Sequence, residues 1–145
     1  MRISDILRVK GDQVVTVRPG ADVTELLTLL AEHKIGAVIV SSDGTRVEGI
    51  VSERDVVRAL AARGAAILTQ PVSNIHTTQV RSVAPEAAVE EVERLMTDNR
   101  FRHVPVVENG ALRGVVSIGD VVKNRIDELE AERTSLTGYI TGERV

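Results

Sequence analysis

The sequence predicts an α/β fold assembled from two copies of one unit, each running strand, helix, strand, strand, helix. Three observations carry that reading. The first is an internal repeat: Gly49-Ile50-Val51-Ser52-Glu53-Arg54-Asp55-Val56-Val57 returns as Gly114-Val115-Val116-Ser117-Ile118-Gly119-Asp120-Val121-Val122, with the glycine, serine, aspartate and apolar residues in the same places. The second is that the repeat extends upstream. Val17-Arg18-Pro19 answers to Val83-Ala84-Pro85, Val23 to Val89 and the Asp43-Gly44 turn to Asn109-Gly110, with one residue lost in the second copy between that turn and the strand. The third is size and composition: 145 residues, 43% hydrophobic and 27% charged, suffice for a sizeable core but not for two unrelated domains. A half of about 60 residues is marginal alone, so pairing the halves is expected to bury a shared core and to place function at the seam.

Each element has a local reason. Val14-Val15-Thr16-Val17 reads as a short strand closed by Pro19-Gly20. Asp22 with Glu25 three residues on predicts a capping box, opening a helix whose Val23, Leu26, Leu27 and Leu30 share one face and which Gly36 ends. Ala37-Val38-Ile39-Val40 reads as a buried strand, Ser42-Asp43-Gly44 as a hairpin turn and Gly49-Ile50-Val51-Ser52 as the partner strand. A second helix is expected from Asp55 through Val56, Val57, Ala59 and Leu60 to Gly64. The second half repeats the order. It has a strand over Val80 to Val83, a helix carrying Val89, Val92, Leu95 and Met96, the strand Val104-Pro105-Val106-Val107, a strand from Gly114 and a helix from Asp120. The organisation is thus a first repeat over 1–64, a linker and lead-in over 65–79, a second repeat over 80–126 and a charged helical extension over 127–145. Val72-Ser73-Asn74-Ile75 echoes Ile3-Ser4-Asp5-Ile6, which predicts a lead-in helix for each repeat. On the extension, Leu129, Leu136, Tyr139 and Ile140 are available to dock on a neighbour.

Several function classes recede. Eighteen Lys and Arg against 21 Asp and Glu give a net charge of −3, which supplies no global attraction to nucleic acid or anionic membrane. Without cysteine there is no disulfide, thiolate nucleophile or Cys-based metal site, and His33, His76 and His103 show no metal-ligand spacing. Met1-Arg2-Ile3-Ser4-Asp5 carries no apolar leader and no run approaches the roughly 18 apolar residues of a membrane span, so a cytoplasmic location is expected. Phe101 and Tyr139 are the sole aromatics, so a nucleobase held here is gripped mainly by aliphatic side chains and backbone. Gly110-Ala111-Leu112-Arg113-Gly114 lacks both the dinucleotide and the phosphate-loop pattern and reads as a hairpin. Glu53, Glu90, Glu91 and Glu93 read as helix-surface charges rather than a catalytic pair, and the serines have no histidine at a recognisable spacing.

The repeated Gly-apolar-apolar-Ser-x-x-Asp, the Ile35-Gly36-Ala37 and Phe101-Arg102-His103-Val104-Pro105-Val106 segments and the element order resemble the tandem CBS-domain family, or Bateman module, over residues 3 to 125. The resemblance implies an α/β fold whose two repeats pack through their sheets with pseudo-two-fold symmetry. It also implies a non-catalytic, stand-alone regulatory or signal-transduction protein that binds an adenosine nucleotide in clefts between the repeats and forms a homodimer. The ligand implied is AMP, ATP or NAD(H), with no cofactor required and Mg²⁺ only alongside a triphosphate; the downstream protein is not specified. The alternative is a constitutive dimeric adaptor whose clefts are vestigial.

The residues give such a cleft a physical basis. In strand-Ser-x-x-Asp-helix the aspartate stands at a helix start, where free N–H groups and the positive end of the dipole favour a phosphate. Ionised Asp only accepts hydrogen bonds, and a ribose diol offers two adjacent donors. Asp55 and Asp120 read equally as plain N-caps, and the repeated serine three residues earlier favours binding. Arg100, Arg102 and His103 form a concentrated cationic patch, suited to phosphate or else a solvated face. The resemblance implies that this segment of one repeat faces the Ser-x-x-Asp of the other. Site one then combines Ser52, Arg54 and Asp55 with Arg100, Arg102 and His103, plus backbone around Thr78 and Val80. Site two combines Ser117, Gly119 and Asp120 with Lys34, Gly36 and Ala37, plus backbone around Gln13 and Val14. Where the second repeat has Arg102-His103 the first has Gly36-Ala37, so site one is expected to hold the nucleotide phosphate and site two to be phosphate-poor.

Overall fold

The computed structural model describes residues 1–11 and 14–140, with side chains through 138. Gln13 and the side chains of Tyr139 and Ile140, all singled out above, lie outside the described residues. In chain order the elements are α1 (Ile3–Lys10), β1 (Thr16–Val17), α2 (Val23–His33), β2 (Ala37–Val40), β3 (Gly49–Ser52) and α3 (Glu53–Arg63). Two short 3-10 helices (Gly64–Thr69 and Val72–Asn74) lead to α4 (Val89–Asn99), β4 (His103–Glu108), β5 (Ala111–Ser117) and α5 (Ile118–Ile140). No described helix is long and apolar enough to cross a membrane.

The first half makes a three-stranded sheet in the order β1-β2-β3, with β1 parallel and β3 antiparallel to β2. In the second half β4 and β5 pair antiparallel, but the strand expected over Val80 to Val83 is reduced to a single parallel bridge, Val83 to Val106. Val83 donates to Pro105 O and accepts from Val107 N. Extending that ladder one step toward the chain start needs an N–H from residue 105, and proline has none. Ile39 stands at the corresponding place in β2 and pairs with Thr16.

Helix boundaries also depart from expectation for local reasons. α2 stops at His33, with Lys34 rather than Gly36 in the left-handed cap. Asp22 accepts from Glu25 N, but Glu25 makes no return bond, so the cap is half of the expected box. Leu27 turns to solvent while Val23, Leu26 and Leu30 are buried. α3 and α5 begin at Glu53 and Ile118, two residues before the aspartates. The second lead-in forms 3-10 turns instead of a helix.

The core is not one shared cluster. Leu26, Val38, Val51 and Val56 anchor the first; Val92, Val104, Val116 and Val121 anchor the second. The halves are tied by exchanged lead-ins: Ile3 and Ile6 of α1 pack in the second core, while Val72 packs in the first. Backbone bonds hold the exchange, with Ile3 N donating to Ala87 O, Val89 N to Met1 O, and Val72 N to Ala21 O. The repeated glycine is the docking surface for it. A Cβ on Gly49 would sit 2.8 Å from Thr77 O, and one on Gly114 would sit 2.7 Å from Leu7 Cδ2. Ala37 and Ile39 lie outside both clusters, on the face of β2 opposite Val38 and Val40, and are buried too, so this sheet is covered on both sides as a pairing through sheets requires.

Candidate functional site

The repeated Ser-x-x-Asp closes on itself at each helix start. Ser52 is the N-cap of α3: its Oγ accepts from Asp55 N at 3.3 Å. Asp55 Oδ2 accepts in return from Ser52 N at 2.9 Å and Ser52 Oγ at 3.1 Å. Asp55 is therefore not the cap but the third helical residue of a capping box, and its Oδ1 takes no hydrogen bond among the described residues. Ser117 and Asp120 repeat the arrangement, with Asp120 N to Ser117 Oγ at 3.1 Å and Ser117 N to Asp120 Oδ2 at 2.8 Å.

The two aspartates differ in what else reaches them. Lys10, from α1, places Nζ 2.7 Å from Asp120 Oδ2 and 2.7 Å from Val115 O. Burial pushes the Asp120 carboxyl up, but the Lys10 hydrogen bond, the Ser117 N–H and the lysine's charge outweigh it and hold the group below the usual carboxylate range. No ammonium or guanidinium lies within ion-pair distance of Asp55 among the described residues.

Two clefts open beside these motifs. The larger, about 790 Å³, is lined by Ser52, Arg54, Asp55, Val80, Arg100, Arg102 and His103 of the predicted first site. Thr78 is not on its wall; the neighbouring Thr77 and Gln79 are. Arg58 and Arg81, not foreseen, join Arg54, Arg100 and Arg102 there. Arg58 follows Arg54 by one helical turn, a spacing that signals a shared face, whereas nothing in the sequence around Arg81 marks it. The smaller cleft, about 380 Å³, is lined by Val14, Lys34, Gly36, Ala37, Ser117 and Asp120 of the predicted second site, together with Leu7 and Lys10. Gly119 is not on its wall. Lys10 escaped sequence reasoning because the repeat matches the lead-ins to each other without saying which half each one docks on.

Gly36, Ala37 and His103 line both clefts, so they form the partition between them. A Cβ on Gly36 would come 3.1 Å from Glu53 Oε1 and 3.6 Å from the His103 ring, so the glycine lets the partition close. Burial, with the Lys10 charge, lowers the His103 pKa against the opposing pull of Asp120 and Glu53, and the imidazole is neutral at pH 7. Lys34 and Arg100, the matched helix caps, both adopt left-handed backbone (φ 54° and 56°), a conformation unfavourable for residues with a Cβ. Each lies at a cleft. Among the described residues no group of three or more His, Cys, Asp or Glu is arranged to hold a metal ion.

Comparison with known proteins agrees with this architecture. The model of the CBS domain matches residues 3–62 and 72–127. The CBS domain-containing protein CBSX3 of Arabidopsis thaliana, described as mitochondrial, is 33% identical over 97% of this chain and 72% of its own length. YhcV, a CBS domain-containing protein of Bacillus subtilis, is 31% identical over 86% of this chain and 87% of its own. Among solved structures, a CBS-domain containing protein from Agrobacterium tumefaciens shares 48% identity with a TM-score of 0.82, covering 86% of this chain and 99% of that one. A CBS domain protein from Pyrobaculum aerophilum complexed with AMP shares 32% identity with a TM-score of 0.74, covering 83% and 89%.

Proposed function

The chain belongs to the CBS-domain family, and we propose on that premise that it is a non-catalytic regulatory module that binds an adenosine nucleotide in the larger cleft. The observation that carries the reading is the meeting of an aspartate whose Oδ1 is uncommitted with five arginines, Arg54, Arg58, Arg81, Arg100 and Arg102, on one wall set contributed by both halves. Asp55 Oδ1 accepts from the ribose diol, and the guanidinium groups of Arg100 and Arg102 take the phosphate. Ile50, Val57 and Val80, with Phe101 as the one aromatic residue on the wall, offer apolar surface to the base in place of an aromatic sandwich. The AMP bound by the Pyrobaculum relative supports this ligand class, and the choice among AMP, ATP and NAD(H) belongs to the titration below. The smaller cleft, with Asp120 engaged by Lys10, is the phosphate-poor site.

Signalling follows from linkage. A ligand touching both halves favours the relative orientation in which both walls reach it, and a homodimer partner or downstream protein reads that orientation. Calorimetric titration with AMP, ATP, NAD(H) and adenosine, with turnover followed in the same samples, tests the reading. Arg102→Ala is expected to weaken AMP by roughly 10- to 150-fold and adenosine far less. Equal losses for both ligands would place Arg102 in the fold or the base pocket, and turnover or an absence of adenylate binding by the wild type would overturn the proposal.

A further inference from the structure

We propose that α5 docks antiparallel on α5 of a second copy of this chain, in a register fixed by charge, with Ile126 of each helix layered on Leu129 of the other. The proposal rests on the homodimer reading above and specifies its surface. Val122, Ile126, Leu129, Arg133 and Leu136 follow one another at intervals of four, three, four and three residues, the spacing of a coiled-coil seam. The four apolar members are 50%, 49%, 51% and 63% exposed, while Val121 and Asn124 on the body-facing side of the same helix are buried. One face of α5 thus serves the fold and the other is an apolar stripe left exposed among the described residues.

The charges flanking the stripe select its occupant. Lys123 and Arg125 border the half of the seam near the body, and Glu130 and Glu132 border the outer half; all four side chains are exposed. With two helices antiparallel and Ile126 opposite Leu129, Lys123 meets Glu130 and Arg125 meets Glu132, and two-fold symmetry makes each pair twice. Val122 then lies opposite Arg133, whose aliphatic stem covers the valine while the guanidinium reaches water. A slip by one heptad sets Glu130 against Glu130 and Glu132 against Glu132. A parallel pair stacks Arg133 on Arg133 inside the seam and keeps only Arg125 with Glu130. The pattern therefore fits a second copy in one orientation and register better than in the others. In the single chain Arg125 leans on Glu128 at 3.7 Å, an exposed pair weak enough to be exchanged.

The test uses two double variants of the full chain. Lys123→Glu with Arg125→Glu makes the flanks all acidic; Glu130→Lys with Glu132→Lys makes them all basic. Because the altered side chains are exposed, melting curves should show both folded. Analytical ultracentrifugation at low salt should find each variant dimerising about 30-fold or more weakly than wild type, and an equimolar mixture recovering wild-type affinity as a heterodimer. If wild type is a dimer and both variants match it alone, the α5 seam is wrong while the homodimer reading stands. If wild type is a monomer at high micromolar concentration, that reading fails and this one with it. Orientation is read separately by Leu136→Cys in this cysteine-free chain. In the antiparallel register the two thiols lie about 25 Å apart along the axis and should not crosslink on oxidation; a covalent dimer in high yield would overturn it.

Discussion

Replacing Asp55 by asparagine separates what this side chain does for the helix from what it does for a ligand. In the apo protein its Oδ2 accepts from Ser52 N and Ser52 Oγ, closing the capping box. An asparagine carbonyl keeps the bond from Ser52 N, so the apo cost is chiefly a negative charge lost from the first turn of α3, about 0.3–1 kcal/mol. For a chain of this size that is a fall of roughly 1–4 °C in Tm. Alanine removes the acceptor as well and should cost about 1–2 kcal/mol. Binding responds differently. With the asparagine oxygen held by Ser52 N, an amide NH2 takes the place of Oδ1, a donor where the ribose diol needs an acceptor, and the lost charge-assisted bond corresponds to about 1.5–3 kcal/mol, or roughly 10- to 150-fold in Kd for AMP. Differential scanning calorimetry without ligand and isothermal titration with AMP give the two numbers on the same samples. The expected result is a split, with small change in Tm and large change in Kd for asparagine. Should Asp55→Asn bind AMP as wild type does while Asp55→Ala lowers the apo Tm, the aspartate is a helix-capping residue alone and the site assignment fails.

Three further outcomes are expected. Lys10→Met removes the donor to Asp120 and Val115 O; allowing for the lysine's partial exposure, it should cost about 0.5–1.5 kcal/mol at neutral pH. Because the folded Asp120 pKa is depressed, that advantage of wild type over variant is full above the unfolded value near pH 4 and fades as pH falls through the folded one, which carboxyl titration by NMR would follow; an Asp120 titration unmoved by the substitution would refute the pairing of Lys10 with Asp120. Gly49→Ala should destabilise by about 1–3 kcal/mol, because its Cβ would meet the backbone oxygen of Thr77, and Gly114→Ala by less, because the flexible tip of Leu7 can give way; chemical denaturation that ranks them in reverse would refute that account of the repeated glycine. His103, kept neutral by burial, should make stability fall as pH drops below the unfolded value of about 6.5, a slope that His103→Gln removes in urea midpoints measured from pH 7.5 to 5.5.

Much of the fold was legible because the same local instructions appear twice. The glycine that opens each second strand, the serine that leaves it and the aspartate three residues on fix strand end, helix start and cap together, and β3 to α3 and β5 to α5 follow them. The lining of the larger cleft was legible through the family resemblance, which implies that Arg100 to His103 of one repeat face Ser52 to Asp55 of the other, and both segments line that cleft. What escaped depends on contacts that periodicity does not encode. Leu27 satisfies the spacing of a buried stripe, yet only Val23, Leu26 and Leu30 of that stripe enter the first core. The missing strand at Val80 to Val83 was readable in principle from Pro105, but only after knowing which β4 residue would have to donate. Expecting one shared core failed because α1 and the linker cross over, so each half completes its own core with residues from the other's lead-in.

That crossover also accounts for the difference between the clefts. By repeat register Lys10 at the end of α1 corresponds to Gln79 at the end of the linker, as Ile3 corresponds to Val72. Each residue is carried to the wall of a cleft, but only the lysine brings a charge to the aspartate there. The facing segments differ in the opposite sense, with Gly36-Ala37 where the other repeat has Arg102-His103. In the smaller cleft the cation sits on the carboxylate and neutralises the acceptor that a diol needs; in the larger one arginines and Asp55 share a wall without an ion pair between them. An adenosine phosphate requires the second arrangement, since its sugar and its phosphate must be met at once by opposite charges that have not already quenched each other. Gly36, Ala37 and His103 line both clefts, so the two opposite arrangements of charge stand on either side of one partition.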